Sequence, residues 1–208
     1  MSTGVIGVQL PMDKFQAGMP QAVAALNNTS LADIAQAIMT TDTVPKSICR
    51  TYTTADGKHF TIAGIAKGAR MIHPNMPTML SVVMTDAKVS LGTLRQAVKK
   101  ATNRSFNCIT IDGDTSTNDP FVVLANGASG AKPGAAEFED ALNEISMELA
   151  KKIARDGEGA TKFITIRVTG ARTWDMAHKV GRTIATSPLV KTAFYGEDAN
   201  WGRITCAA

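Results

Sequence analysis

Residues 112–119 carry the side chains that most readily suggest chemistry, because a mixture of Asp, Thr, Ser and Asn oxygens is typical of a hard-cation site. The stretch does not fit a calcium-binding loop. Such a loop has a turn glycine at its sixth position and a bidentate glutamate at its twelfth, whereas this sequence has Thr117 and Val123 there. We therefore predict an Asp/Ser/Thr turn whose side chains hydrogen-bond to their own backbone.

Other common catalytic and binding motifs are missing from the sequence. Residues 64–70 lack the spacing of a phosphate-binding loop, and the nucleophile elbow Gly-x-Ser-x-Gly does not occur. Widely separated histidines without an HExxH pair predict no metal site; they are His59, His73 and His178. Widely separated cysteines disfavour a disulfide framework and favour a reducing compartment; they are Cys49, Cys108 and Cys206.

The composition is that of an ordinary folded protein. Of 208 residues, 44% are hydrophobic and 19% are charged, which is enough apolar material for a core. The net charge of +4 is spread along the chain and only 5% of residues are aromatic, so we predict no nucleic-acid partner. No signal peptide and no long apolar run is present, which predicts no membrane association and a cytoplasmic location.

The elements that must position any site alternate between helical and extended patterns. A β-hairpin is predicted over 46–66, with its turn at Asp56-Gly57. The clearest amphipathic helix is predicted over 135–155, because apolar residues recur there at intervals of three and four. Strands are predicted over 78–85, 106–111, 121–125 and 162–169. Further helices are predicted over 12–26, over 30–40 with Ser30 as N-cap, and from Thr173 to Ser187-Pro188. No repeat or linker interrupts this single layered α/β unit over 1–208.

Five unusual strings occur in order along the chain. They are Ser-Thr-Gly-Val-Ile-Gly at 2–7, Lys-Gly-Ala-Arg-Met-Ile-His-Pro-Asn-Met-Pro-Thr-Met-Leu at 67–80, Ser-Phe-Asn-Cys-Ile-Thr-Ile-Asp-Gly-Asp-Thr-Ser-Thr-Asn-Asp at 105–119, Gly-Glu-Gly-Ala-Thr-Lys at 157–162 and Gly-Glu-Asp-Ala-Asn-Trp-Gly-Arg at 196–203. Together they resemble the ornithine acetyltransferase (ArgJ) family. Five co-linear strings are far more specific than one short motif.

The resemblance implies a self-processing enzyme. The fold it implies is the layered mixed-sheet architecture of the N-terminal-nucleophile type, as in ArgJ and DmpA, here incomplete. Members of the family cut themselves before a threonine that matches Thr78, so the implied cleavage site is Pro77-Thr78 and the implied nucleophile is Thr78. The freed α-amine, with an ordinary pKa of about 8, then serves as the base for the same hydroxyl.

The same resemblance implies roles for five more residues and a set of partners. Thr3 and Gly4 match the oxyanion hole, while Thr41, Lys67 and Glu158 match, with Thr78, positions that contact substrate. The implied reaction transfers acetyl from N2-acetylornithine to glutamate through an acetyl-threonine. It requires no cofactor, and acetyl-CoA serves some members as a further acetyl donor. The implied assembly is a heterotetramer of two processed subunit pairs.

The chain departs from the family pattern in three respects. Pro77 stands where alanine is usual, and it fixes φ beside the bond that would be cut. Arg70 stands where glycine is usual and adds a charge near the site. Family members are also longer, so this chain is expected to lack segments at both ends.

Two other functions stay open from the sequence. One is a catalytically inactive fragment of the same family. The other is a self-processing aminopeptidase, since related architectures use an N-terminal nucleophile for amide hydrolysis.

Overall fold

A four-stranded sheet covered by two helices forms the centre of the protein, as seen in a computed structural model that describes residues 7–26, 31–73, 79–116 and 119–208. The strands are β1 (Lys46–Thr53), β2 (His59–Lys67), β3 (Leu80–Thr85) and β4 (Phe121–Ala125). Their order in the sheet is β1-β2-β3-β4. β2 is antiparallel to both β1 and β3, and β4 runs parallel to β3.

Seven helices accompany the sheet in the described part of the chain. They are α1 (Met12–Ala24), α2 (Leu31–Ala37), α3 (Leu91–Arg104), α4 (Ala135–Arg155), α5 (Trp174–Thr186), α6 (Pro188–Tyr195) and α7 (Trp201–Ala207). Helices α3 and α4 pack against each other and against the sheet, whereas α5, α6 and α7 pack on one another. The architecture is therefore a mixed α/β layer with a separate helical group.

The core lies between the sheet and α4. The apolar stripe of α4 buries residues at helical spacing, namely Phe138, Leu142, Ile145, Leu149 and Ile153. From the sheet these meet Phe60, Ile62 and Val83, all fully buried. Gly64 of β2 lies directly beneath Leu149 and Ile145, so the helix approaches the sheet at a position without a side chain.

Most predicted elements are confirmed. The hairpin forms from β1 and β2, and Gly57 in its turn has a φ of 80°, a left-handed value that favours glycine. The helix over 135–155 begins and ends as predicted. The side chain of Thr173 accepts a hydrogen bond from the amide of Met176 and caps α5. Ser30, the predicted cap of α2, lies outside the described residues. The patterns did not predict α3, α6 or α7.

The two predicted strands at 106–111 and 162–169 are wrong. The first forms a 3-10 turn at Phe106–Cys108, after which the amide of Ile111 donates to the carbonyl of Ile72, outside any strand, at 2.8 Å. The second makes no backbone hydrogen bond to another segment among the described residues. A strand requires a neighbour for its backbone groups, and β-favouring residues alone do not supply one.

The structure also reports on cysteines and membrane association. All three cysteines are free thiols at exposed positions. None of the helices within the described ranges is long and apolar enough to cross a bilayer.

We expect Gly64→Ala to lower the free energy of unfolding by about 1–3 kcal/mol, because it overpacks the core. The added Cβ would lie 2.9 Å from Leu149 Cδ1 and 3.0 Å from Val83 Cγ2. Urea denaturation followed by circular dichroism measures the change. Gly18→Ala is the matched control, because Gly18 lies in α1 with no atom within 4 Å of an added Cβ, and alanine favours a helix. Equal losses of stability in the two variants would contradict the packing argument.

Candidate active site

Four strand ends meet at one edge of the sheet. Lys46 begins β1 and pairs with Ala66, while Lys67 ends β2 and pairs with Leu80, the first residue of β3. Because β4 is parallel to β3 and Ser81 pairs with Phe121, β4 begins at the same edge. We call this the polar edge, defined by Lys46, Lys67, Leu80 and Phe121. The loops entering and leaving these strands are where a site can be built.

Lys67 is a buried cation at the polar edge. Only 3% of the residue is exposed, and its Nζ donates to Thr40 Oγ1 at 2.8 Å, the one hydrogen bond described for this ammonium. Burial lowers the pKa of Lys67 below its usual value, and the nearby carboxylate of Asp42 opposes this effect. An ammonium with spare donors and no ion pair in the described part of the chain suits a carboxylate ligand.

Thr41 is held close to the end of β2 by its neighbour Asp42. The Asp42 carboxylate accepts from the amide of Gly68 at 2.7 Å and from the amide of Thr40 at 3.2 Å. Burial works against its ionisation, but these amides and the Lys46 ammonium hold the pKa of Asp42 below its usual value. The structure therefore brings together the loop of Thr41 and the end of β2 that carries Lys67.

Glu158 lies beyond the C-terminal end of α4 and is already paired. Its amide donates to the carbonyl of Ala69 at 2.8 Å, which fixes it beside the chain that leaves β2. Its exposed carboxylate binds Arg70 through two donors, Nε and Nη2, the latter 2.6 Å from Oε1. These hydrogen bonds keep the pKa of Glu158 below its usual value. A substrate amine at Glu158 would have to compete with Arg70.

The remaining predicted site residues lie outside the described residues. These are Thr3, Gly4, Pro77 and Thr78, and their roles stay predictions.

Both flanks of residues 74–78 are described, and each is held by an aspartate. The amides of Met71 and Ile72 donate to the carboxylate of Asp112, Ile72 at 3.0 Å. On the other side, the amide of Met79 donates to Asp119 Oδ1 at 2.9 Å. Asp112 also accepts from the amide of Asp114 at 3.1 Å, which confirms the predicted Asp turn. Within the described ranges no cluster of three or more His, Cys, Asp and Glu side chains could hold a metal.

Sequence reasoning missed the buried residues that support Thr41, Lys67 and Glu158. The missed residues are Asp42, Lys46 and Asp156. Lys46 and Asp156 are 110 residues apart in the sequence, yet their charged atoms lie 2.5 Å apart. No local spacing or motif could have indicated such a contact.

An open, mainly apolar cavity of about 740 Å³ is lined in part by Glu158. Its lining includes Ile109, Met147, Phe163, Val168 and Phe194. Thr41 and Lys67 do not line it. The cavity therefore belongs to the face of α5 and α6 rather than to the Thr41 and Lys67 pair.

Comparisons with known proteins agree on one family. A sequence profile described as the ArgJ family matches residues 1–208. The mitochondrial "Arginine biosynthesis bifunctional protein ArgJ" of Podospora anserina is 53% identical, over 100% of this chain and 46% of its own length. The protein of the same description from Geobacter sulfurreducens is 54% identical, over 99% of this chain and 54% of its own length. The chain thus spans about half the length of these curated relatives.

A solved structure shares the fold. The crystal structure of "Arginine biosynthesis bifunctional protein argJ" from Bacillus halodurans superposes with a TM-score of 0.56 at 51% identity. The match covers 59% of this chain and 60% of that chain. The α/β fold expected from the resemblance is therefore confirmed, in an incomplete form.

We expect Asp119→Asn to remove a pH dependence of stability between pH 3.8 and about 6. Burial raises the pKa of Asp119 from 3.8 to about 6, against the effect of the Met79 amide. The folded state thus favours the protonated carboxyl, and its stability falls as pH rises through this window. Asparagine cannot ionise but keeps an acceptor for Met79.

At pH 7 the Asp119→Asn variant should be more stable by about 1 kcal/mol, a value that allows for partial solvent exposure of the carboxyl. Melting temperatures measured from pH 3.5 to 7.5 on both proteins give the comparison. Parallel curves over the whole range would contradict the expected role of burial.

Proposed function

Because the chain belongs to the ArgJ family, we propose that it acts as an N-acetyltransferase of arginine biosynthesis, moving acetyl from N2-acetylornithine to glutamate. The observation that carries this proposal is the burial of the Lys67 ammonium at the polar edge, where its one hydrogen bond among the described residues is 2.8 Å long. Both the donor and the acceptor of the proposed reaction carry an α-carboxylate, which is the group that such an ammonium binds. The names of the curated relatives support the pathway.

The proposed first step is self-activation at Pro77-Thr78. The Thr78 hydroxyl attacks the Pro77 carbonyl, the C–N bond breaks, and the amide becomes an ester with a free α-amine on Thr78. Water then hydrolyses the ester and releases a new chain end at Pro77. The freed amine is the adjacent base that accepts the proton of the Thr78 hydroxyl. Proline at 77 keeps the carbonyl that is attacked but restricts its own φ.

The proposed transfer follows in two halves. The Thr78 oxygen attacks the acetyl carbonyl of N2-acetylornithine, the C–N bond breaks, and ornithine leaves with the transferred proton. The amine of glutamate then attacks the acetyl ester, forms N-acetylglutamate and returns the hydroxyl of Thr78. Thr3 and Gly4 are assigned as the hydrogen-bond donors to the oxyanion that develops in each half.

The proposed binding roles follow from charge. Lys67 binds the α-carboxylate, Thr41 offers a hydroxyl beside it, and Glu158 binds the side-chain amine of the ornithine part. The transfer needs no cofactor, and acetyl-CoA is proposed as a further acetyl donor. Processed chains are proposed to assemble as a heterotetramer, which native mass spectrometry measures.

We propose a reducing compartment such as the cytoplasm. The three cysteines are exposed and free, which agrees with this location. The Podospora relative is named mitochondrial, so cell fractionation is the measurement that decides the compartment.

Intact-mass spectrometry tests the processing step. The chain should pass from a 22.0 kDa species to two fragments that separate between residues 77 and 78. Thr78→Ala should stay uncut, since alanine has no attacking oxygen, and Pro77→Ala should be cut faster than the natural sequence because its φ is freer. A single uncut species for the unchanged chain after long incubation would exclude self-cleavage.

The acetyl-transfer assay separates the candidate functions. Transfer of labelled acetyl from N2-acetylornithine to glutamate, lost in Thr78→Ala, is the expected outcome. Absence of transfer at every protein concentration would favour the inactive fragment. Release of free acetate or of peptide without an acceptor would favour the aminopeptidase.

We expect Arg70→Ala to lower the KM for N2-acetylornithine by about threefold to tenfold, because Glu158 would no longer be paired before substrate binds. The melting temperature should stay the same, since the pair is exposed. Arg50→Ala is the matched control, because Arg50 forms a similarly exposed pair with Glu144. A KM that is unchanged in Arg70→Ala would show that Glu158 does not bind the substrate amine.

A further inference from the structure

A buried ammonium lies behind the proposed substrate-binding residues. Lys46 is 1% exposed, and its Nζ lies 2.6 Å from Asp42 Oδ1 and 2.5 Å from Asp156 Oδ2. The Val44 carbonyl lies 3.3 Å from the same nitrogen. Three acceptors match the three protons of the ammonium, so Lys46 is satisfied without solvent. A buried charge is tolerated when it is paired and hydrogen-bonded in this way.

The partners of Lys46 link it to the segments that carry Thr41, Lys67 and Glu158. Asp42 follows Thr41 directly, and it also accepts from the amide of Gly68, next to Lys67. Asp156 caps the C-terminal end of α4, two residues before Glu158, and binds the amide of Thr43 at 3.0 Å. Lys46 thus contacts the segments of Thr41 and Glu158 directly and is connected to the segment of Lys67 through Asp42.

Lys46 and Lys67 both lie near the carboxylate of Asp42, Lys46 in contact with it and Lys67 through Thr40, whose amide Asp42 binds. Asp42 is near enough to Lys67 to act on its charge, as Lys46 also is. Yet the Asp42 Oδ1 atom is occupied by Lys46 and by the Gly68 amide, and Lys67 forms no ion pair in the part of the chain that the structure describes. The other charged partner, Asp156, is occupied by Lys46 and Thr43.

We propose that Lys46 is a positioning residue that occupies Asp42 and thereby leaves the ammonium of Lys67 free for the α-carboxylate of an amino-acid substrate. This inference rests on the proposed acetyl transfer and adds the residue that governs carboxylate recognition at the same site. Asp42, Asp156, Lys46 and Lys67 together carry no net charge. Without Lys46 a buried negative charge remains, and Lys67 is the cation placed to neutralise it.

The loss of Lys46 should therefore weaken recognition of one chemical group. In Lys46→Met, Lys67 turns to Asp42, and the ratio of kcat/KM for glutamate to that for 4-aminobutyrate, which lacks the α-carboxylate, falls about tenfold. The loss appears in the KM for glutamate, while kcat changes by less than about threefold. A structural defect would lower kcat/KM for both acceptors alike and leave the ratio unchanged. An unchanged ratio would therefore overturn the proposal.

A charge-balanced double variant shows whether Lys46 acts by keeping Asp42 from pairing with Lys67 or only by linking the segments. The same variant tests the proposal if Lys46→Met does not fold. In Asp42→Asn/Lys46→Met, no carboxylate at 42 remains to capture Lys67, so the ratio returns to within about threefold of the natural protein. If the glutamate to 4-aminobutyrate ratio stays low in a folded double variant, Lys46 acts only as a cross-link between segments. Lys100→Met is the control, since it removes an ion pair to Glu139 between α3 and α4.

A second measurement does not depend on activity. NMR titration of ¹³C-labelled lysine side chains, with Lys67→Arg to assign the signal, follows the ionisation of Lys67 directly. The pKa of Lys67 should rise in Lys46→Met, where a positive neighbour is lost and Asp42 is released, and it should fall again in the double variant, which lacks the Asp42 carboxylate. If the natural protein transfers no acetyl, the proposed function fails while this titration still decides the role of Lys46. No rise in Lys46→Met would overturn it.

Discussion

The need to satisfy one buried ammonium shapes the polar edge of this protein. An isolated charge inside a protein is costly, and Lys46 meets that cost with two carboxylates and a carbonyl. Asp42 and Asp156 lie far apart in the sequence, so satisfying Lys46 fixes two distant segments against the start of β1. Breaking one of these contacts would leave a buried charge unpaired, which makes the arrangement cooperative.

The apolar core sets the position of these charges. Helix α4 has 21 residues and buries one stripe of side chains against the sheet. Because each residue advances a helix by about 1.5 Å and turns it by about 100°, the fit of that stripe determines where Asp156 emerges. Gly64 lets α4 approach the sheet closely at Leu149. Packing at the centre and the ion pairs at the edge therefore depend on each other.

Sequence patterns correctly predicted the elements that depend on residues close together in the sequence. The helix over 135–155 has its own apolar period, and the hairpin has its own turn at Asp56-Gly57, so both were predictable. The strands predicted at 106–111 and 162–169 failed because pairing depends on a neighbour that local residue types do not reveal.

The candidate site was likewise predictable only where it depends on residues close together in the sequence. The five strings identify the family, and Lys67 taken alone would be interpreted as a surface charge. Its burial depends on the contacts of β2 with its neighbours, and we propose that its lack of an ion pair within the described ranges depends on Lys46. A network that spans 110 residues of sequence has no signature in any short window.

The acidic stretch at 112–119 has a physical role in holding backbone amides. Asp112 holds the amides of Met71 and Ile72, and Asp119 holds the amide of Met79, so one loop anchors both flanks of residues 74–78. Fixing the two ends of a segment restricts its conformations when the chain folds. Less conformational entropy is then lost when the segment reacts. In the proposed self-cleavage, that restriction favours the meeting of the Thr78 hydroxyl with its own preceding carbonyl. Asp112 and Asp119 would thus contribute to the proposed chemistry through the backbone amides that they hold.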